Sequence, residues 1–438
     1  METAEPQKLP QLAADDLDCQ SPPWSLAERF SGCRARSLEL CSNLETEDYG
    51  IQPMPDASPP KWHLAHTTWF FETFLLKPFA RDHQAFHPQF EHLFNSYYNG
   101  VGHPFPRARR GSLSRPSLAQ VLCYRTAVEE GVVQLLAECG EDLHREIAQL
   151  VVLGIHHEQQ HQELLLTDIK YNFGHNPLYP ILVSSPDPKT APARPLAPMH
   201  FAEYAPGLCE VGADLIPDRH FIYDNESPRH QVFIPAFEIA NRLVTNGEFL
   251  AFIEDGGYTR PDLWLSEGWS TLDRQHPLYW HKDTENGWLE FHLDGLGPLQ
   301  KDAPVVHVTA FEAMAYAAWA GCRLPTEHEW EVVARAKAQE GNFADQGMWR
   351  PLPAQEGNPQ FFGDVWEWTS SSYGPYPGYR PLAGVLGEYN GKFMSSQLVL
   401  RGGSCATPQD HIRSTYRNFF YPGDGWQFSG LRLARDCT

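Results

Sequence analysis

His156-His-Glu-Gln-Gln-His-Gln-Glu163 lies within a stretch, Glu141–Tyr171, whose apolar spacing predicts a long helix. On a helix, residues four apart project from one face, so the imidazoles of His157 and His161 can share a metal ion. His156 points about 100° away from His157 and is expected at the surface or in packing. Upstream, Ser58-Pro-Pro-Lys-Trp-His-Leu-Ala-His-Thr-Thr-Trp-Phe-Phe-Glu-Thr-Phe-Leu-Leu76 predicts a second helix. Ser58 reads as its N-cap, the two prolines as its first helical positions, and Pro78 as its end. Apolar residues nearly encircle this helix, so it should be buried. It carries His63 and His66. His66 lies deeper, with Trp69 and Phe70 following, and is the better third ligand; His63 is expected to be structural or to support the site. Ligand sites in helical bundles are built this way, from inward side chains on facing helices.

Around these two helices the pattern is that of an up-down bundle. Leu26, Phe30 and Cys33 mark one face of an earlier helix, 81–116 reads as a loop-rich stretch, and Ser117–Glu138 reads as another helix. Five prolines between Ser184 and Pro198 mark a linker. The expected division is a flexible tail at 1–22, a four-helix bundle at 23–183, a proline-rich linker at 184–199 and a second domain at 200–438. In that second domain short alternating runs, Gln231–Ile239 and Gln397–Leu400, stand among many Gly, Pro, Trp and Tyr residues. Two helices, Thr245–Glu254 and Ala310–Ala320, are predicted there. The fold class is multidomain, α followed by α+β, with no internal repeat.

The 438 residues are 42% hydrophobic and 13% aromatic, the composition of a globular chain. A formal net charge of -21 argues against nucleic acid or an anionic membrane as partner. No run reaches the roughly 18 apolar residues of a membrane span, and no basic start precedes an apolar signal. The nine cysteines are scattered and none form CxxC, which disfavours a disulfide framework and fits a reducing cytoplasm.

His157-Glu-Gln-Gln-His161 is also literally the zinc metalloprotease signature, with Glu158 as general base. The third histidine of a metzincin is missing, since Gln162-Glu163-Leu-Leu-Leu follows. A thermolysin-like enzyme needs a glutamate ligand on a later helix, and loop and linker follow Tyr171. Geometry alone stops at "metal". Three neutral imidazoles would leave a divalent ion with open positions, which suits iron that must take O2 and an anionic ligand such as a thiolate.

Further motifs lie in the second domain: Gly321-Cys-Arg-Leu-Pro-Thr-Glu-His-Glu-Trp-Glu331, Gly363-Asp-Val-Trp-Glu-Trp368 and Arg401-Gly-Gly-Ser404. With 58–72 and 157–163, and in this domain order, the sequence resembles the sulfoxide synthases of ergothioneine biosynthesis (the EgtB type). The resemblance covers about 25 to 436. It implies a DinB-like iron-binding bundle followed by a C-type-lectin-like domain of the kind found in formylglycine-generating enzymes. It also implies a reaction, the O2-dependent coupling of a thiol sulfur to imidazole C2 of hercynine, giving a sulfoxide. By matching positions, His66, His157 and His161 would hold Fe(II), and Gln160 would face hercynine. Asn95-Ser-Tyr-Tyr98 matches the branch with a tyrosine pair, making Tyr97 and Tyr98 candidate proton donors. Arg107 and Arg110, in Pro106-Arg-Ala-Arg-Arg-Gly111, would take the donor's carboxylate. Asn418, Phe419, Phe420, Trp426 and Gln427 would line hercynine, with aromatic faces suited to its trimethylammonium group.

Departures narrow the expectation. Cys405 has no nearby cysteine until Cys437, so formylglycine chemistry is not expected, and neither is an ovothiol-type methyltransferase activity. The tyrosine pair points to cysteine as donor, with γ-glutamylcysteine or a selenium compound as alternatives. Competing classes are a zinc hydrolase and a non-catalytic lectin-like binding module. Self-association into a homo-oligomer is compatible with all of these.

Overall fold

The computed structural model describes residues 25–183, 196, 198–214, 221–355 and 357–437, with the backbone alone for Glu141 and Asp142. The expected tail at 1–22 and all but residues 196, 198 and 199 of the expected linker lie outside them. Two compact units result. One holds the helices up to Val183 and also takes in Leu382–Tyr389; the other holds the described residues of Ser184–Pro381 and Asn390–Thr438.

The first unit is a helical bundle. Its elements are α1 (Leu26–Glu39), α2 (Pro60–Phe71), α3 (Lys77–Phe79), α4 (Phe90–Phe94), α5 (Leu118–Glu138) and α6 (Glu141–Gly174). Capping boxes start α1 and α5: Ser25 with Glu28, and Ser117 with Gln120, each satisfying orphan backbone donors. Ser58 does not cap α2. Pro59 occupies that position, and the Ser58 hydroxyl instead accepts from Arg110. The helix also runs past its expected end, because a π-helical turn at Glu72–Leu76 passes it on to α3, which contains Pro78. Residues 81–116 are loop-rich, interrupted by α4 and a 3-10 helix at Arg107–Ser112.

Eleven of the twelve residues of α2 are buried, so it is the central element and needs close neighbours on several sides. Gly154 in α6 meets that need. A Cβ there would lie 2.3 Å from Phe71 and 3.1 Å from Phe70, so only glycine lets α6 approach this closely. That approach, one turn before His157, brings the two histidine-bearing helices together.

The second unit contains β1 (Phe201–Tyr204), β2 (Gly207–Val211), β3 (His230–Ile234), β4 (Phe237–Ala240), α7 (Asn246–Glu254), α8 (Ser266–Ser270), β5 (Trp280–Asp283), β6 (Gly287–His292), β7 (Gly295–Pro298), α9 (Ala310–Trp319), α10 (Glu327–Ala334), β8 (Trp366–Ser372), β9 (Leu398–Arg401), β10 (Asn418–Phe420), β11 (Ser429–Gly430) and β12 (Ala434–Asp436). Its sheets have the orders β1-β4-β12, β10-β9-β8-β11, β2-β3 and β5-β6-β7. The run 231–239 splits at Pro235 into β3 and β4, which join different sheets, since proline cannot donate to a ladder. Helices α8 and α10 add to the two predicted.

The motifs of this unit hold it together. Arg401 is fully buried and pairs with Glu327 at 2.8 Å and Glu331 at 2.9 Å. Glu367 pairs with Arg432 at 2.7 Å. Gly402 has φ +98°, and a Cβ there would sit 2.6 Å from the Phe361 carbonyl. No disulfide joins cysteines among the described residues. Nor is any described helix long and apolar enough to cross a membrane.

Candidate metal centre

Helix α2 presents His63 and His66, and α6 presents His157 and His161. His66, His157 and His161 each offer a ring nitrogen, and these atoms lie within 4.8 Å of one another. His66 is stacked between Trp62 (centroids 4.5 Å apart) and Trp69 (5.5 Å). Its Nδ1 donates to the Phe94 carbonyl at 2.6 Å, which leaves the Nε2 lone pair for another partner. Nε2 has no hydrogen-bond partner, and neither nitrogen of His157 has one. Burying such atoms unpaired costs about 1–3 kcal/mol each, a cost that a bound cation removes. His161 is half-buried and its Nδ1 lies 3.0 Å from His63 Nδ1.

Burial holds His66 and His161 well below the ordinary histidine range, reinforced by the neighbouring imidazoles, and lowers His157 to about 3. All three are therefore neutral at physiological pH, the state in which imidazole binds a metal. Three converging neutral rings, two of them with nitrogens that have no hydrogen-bond partner, fit a divalent cation.

The rest of the signature does other work. Glu158 is fully buried and accepts from Arg34 at 2.8 Å, Ser37 at 2.6 Å and Arg125 at 3.2 Å. Burial pushes its carboxyl up, but the two guanidiniums and the hydroxyl outweigh that and hold it below the usual range. A general base needs available lone pairs and a pKa near the working pH. Glu158 has neither, so the hydrolase reading loses its base.

A family model described as DinB superfamily matches residues 29–165, and the Sulfatase-modifying factor enzyme 1-like domain matches 187–358 and 350–437. A hercynine oxygenase of Mycolicibacterium thermoresistibile is 34% identical over 448 residues, covering 94% of each chain. The chain belongs to the hercynine oxygenase family. A hercynine oxygenase of Mycobacterium tuberculosis is 33% identical over 443 residues, 94% of this chain and 99% of its own. A formylglycine-generating enzyme of Bos taurus is 28% identical over 292 residues, 56% of this chain and 76% of its own. As a hercynine oxygenase relative, the protein is an oxygenase that acts on small molecules with a metal cofactor.

Other expected residues of this hercynine oxygenase relative fall as follows. Tyr98 is buried against Trp69 (5.6 Å between centroids) and Phe74 (5.3 Å), which puts it one ring away from His66. Tyr97 stacks on Tyr98 at 4.6 Å. Gln160 is half-buried and accepts from the Tyr389 hydroxyl. Arg107 is exposed. Arg110 is buried, with its guanidinium 3.3 Å above the Trp62 ring. It donates to Ser58 Oγ at 2.8 Å and Ser96 Oγ at 3.1 Å, and its Nε has no partner. Burial and then Arg107 push it well below the ordinary arginine range, with the Asp168 carboxylate opposing at longer range and no direct salt bridge among the described residues. A buried guanidinium that sits on an aromatic ring and hydrogen-bonds to hydroxyls, with no salt bridge among the described residues, is a natural anion site.

In the second unit, Asn418, Phe419 and Phe420 form β10, and Phe419 stacks on Tyr373 at 4.0 Å. Phe420 meets Trp426 edge-on at 6.3 Å. The Trp426 Nε1 and both polar atoms of the Gln427 carboxamide are buried without hydrogen-bond partners.

Sequence reasoning missed Tyr389, whose ring lies 5.7 Å from His157 and 6.5 Å from Tyr97, with Glu388 accepting from the Asn99 and Gly100 amides. Nothing local to 382–389 signals this. It also missed Asp168, which pairs with His63 at 2.9 Å. That residue was findable, because 161 and 168 are seven apart and share a helix face. His156, offered as surface or packing, is buried.

Proposed function

We propose that this hercynine oxygenase relative joins imidazole C2 of hercynine to the sulfur of L-cysteine and oxidises that sulfur, giving hercynylcysteine sulfoxide in ergothioneine biosynthesis. Iron(II), held by His66, His157 and His161, would supply the redox centre at which thiolate, imidazole and O2 meet. Per turnover a C–H and an S–H bond are lost, and a C–S and an S–O bond form. O2 supplies the sulfoxide oxygen and one water, so no outside reductant is required.

The chain's own residues bind and orient. Arg110, buried with no salt bridge among the described residues, takes the single carboxylate of the cysteine, and the exposed Arg107 adds to the local field. Gln160, braced by Tyr389, faces the imidazole of hercynine. Tyr97 or Tyr98 gives a proton to reduced oxygen, a role for a phenol buried among aromatic rings beside the histidines. Asn418, Phe419, Phe420, Trp426 and Gln427 are assigned to hercynine by chemistry: a trimethylammonium has no donors and suits aromatic faces, and the unpaired Gln427 carboxamide suits its carboxylate. A reducing cytoplasm keeps the donor a thiol.

The observation that carries this reading is the convergence of three neutral histidines, with the unpaired nitrogens of His66 and His157 among their ring atoms. Its test is anaerobic loading with Fe(II), then air with hercynine and, in parallel, cysteine, γ-glutamylcysteine or a selenosugar. Hercynine-dependent O2 uptake with the sulfoxide mass from cysteine is expected. Product from another donor alone reassigns the donor, and no hercynine-dependent uptake with any donor overturns the reading.

A further inference from the structure

Four buried groups form a continuous hydrogen-bonded chain behind the centre. Arg110 Nη1 donates to Ser58 Oγ at 2.8 Å, and the Ser58 amide donates to Asp168 Oδ2 at 2.7 Å. The same Oδ2 lies 2.9 Å from His63 Nε2, and His63 Nδ1 lies 3.0 Å from His161 Nδ1. Ser58, His63, Asp168 and Arg110 are each at most 3% exposed. The direction of the chain follows from one fact: a carboxylate only accepts. His63 must therefore carry a proton on Nε2, and in a ring with that single proton Nδ1 is an acceptor. His161 must then donate from Nδ1, so its lone pair lies on Nε2. Reversed, the chain would put a proton on His161 Nε2 and remove it as a ligand.

We propose that Asp168 is a positioning residue that selects the ligating tautomer of His161 through His63 and, through Ser58, holds the arginine that anchors the thiol donor. The inference rests on the metal and donor assignments above. One carboxylate thus supports the third ligand and the substrate anchor together, so metal binding and donor binding depend on the same residue. Second partners of ligating histidines commonly shift metal affinity by about 10–100-fold. Here the lever is stronger than a simple brace, because Asn at 168 could turn its NH2 toward His63 Nε2 and reverse every tautomer behind it.

The test uses the full chain stripped of metal, titrated with Co(II) and Fe(II) and read by optical absorption, alongside Asp168→Asn, Asp168→Glu and His63→Phe. Expected are a loss of affinity of about 10–100-fold in Asp168→Asn and His63→Phe, an altered Co(II) ligand-field spectrum, and partial recovery in Asp168→Glu. The KM for cysteine should also rise in Asp168→Asn. A purely packing role would lower thermal stability yet leave affinity and spectrum unchanged; that outcome overturns the proposal. Should Asp168→Asn fail to fold, His63→Phe, which keeps the aromatic volume, decides by the same readings. If the unsubstituted chain binds neither ion, the metal assignment itself falls. If it binds metal and the variants lose it, but no sulfoxide forms, the positioning role stands and the proposed reaction falls.

Discussion

The Nδ1 of His66 donates to the carbonyl of Phe94 at 2.6 Å, so the residue that ends α4 determines which nitrogen His66 turns toward His157 and His161. His157 has no such brace; both of its nitrogens are buried and unpaired. The two residues therefore differ in what a metal does for them. For His66 it would complete an oriented ring, and for His157 it would supply a first polar partner.

Metal should consequently stabilise the fold, and His157→Ala should abolish that effect. At a metal concentration 100-fold above Kd, the unsubstituted chain should gain about 2.7 kcal/mol. Denaturant titrations with and without Co(II) measure it. An equal gain in His157→Ala would remove His157 from the ligand set.

The metal-free protein should lose stability as pH falls. The folded-state values of all three histidines lie below 6.5, and that of His157 lies at about 3. Between those limits the unfolded chain binds protons that the folded chain refuses, so stability is complete above about pH 6.5. It declines toward pH 3, each histidine adding a slope of up to about 1.4 kcal/mol per pH unit. Urea unfolding across pH 4–8 measures the slope. A flat profile would contradict three neutral buried histidines.

Glu158→Gln should be a stability variant and not a loss of a base. Removing the charge leaves Arg34 and Arg125 buried with a weaker partner, and breaking such an ion pair costs about 3–5 kcal/mol. The folded fraction should retain its metal stoichiometry. Unchanged stability with lost turnover would restore Glu158 to the chemistry.

Arg110→Met should raise the KM for cysteine by about 10–100-fold, the worth of a charge-assisted hydrogen bond, while the KM for hercynine moves little. Arg107→Ala, at an exposed position, should change it by about twofold or less. Steady-state kinetics with each substrate varied in turn separates the two. Equal effects would place the carboxylate elsewhere.

Much of this was legible in local spacing. The i,i+4 pair His157 and His161 and the buried helix carrying His66 were both readable from residue periodicity, because a helix forces side chains four apart onto one face. The domain order followed from the motifs around Gly321, Gly363 and Arg401, which the folded chain uses as buried ion pairs and tight glycine turns. Local spacing misled where distant side chains claim a capping group or an irregular turn absorbs a stop. Ser58 has the chemistry of a cap, but its hydroxyl serves Arg110 and its amide serves Asp168. Pro78 has the chemistry of a stop, but a π turn carries the helix through it.

The sequence by itself determined that a long helix and a buried helix would each offer histidines along one face, since helical period and apolar pattern are local properties. Only the tertiary structure decided that His63 stands behind His161 and does not join it, that Glu158 is spent on Arg34 and Arg125, and that Tyr389 reaches Gln160 from more than 200 positions away. Those outcomes depend on which side chain meets which across the bundle. Packing at Gly154 and burial set that, through atoms far apart in the chain, so no window of local sequence contains it.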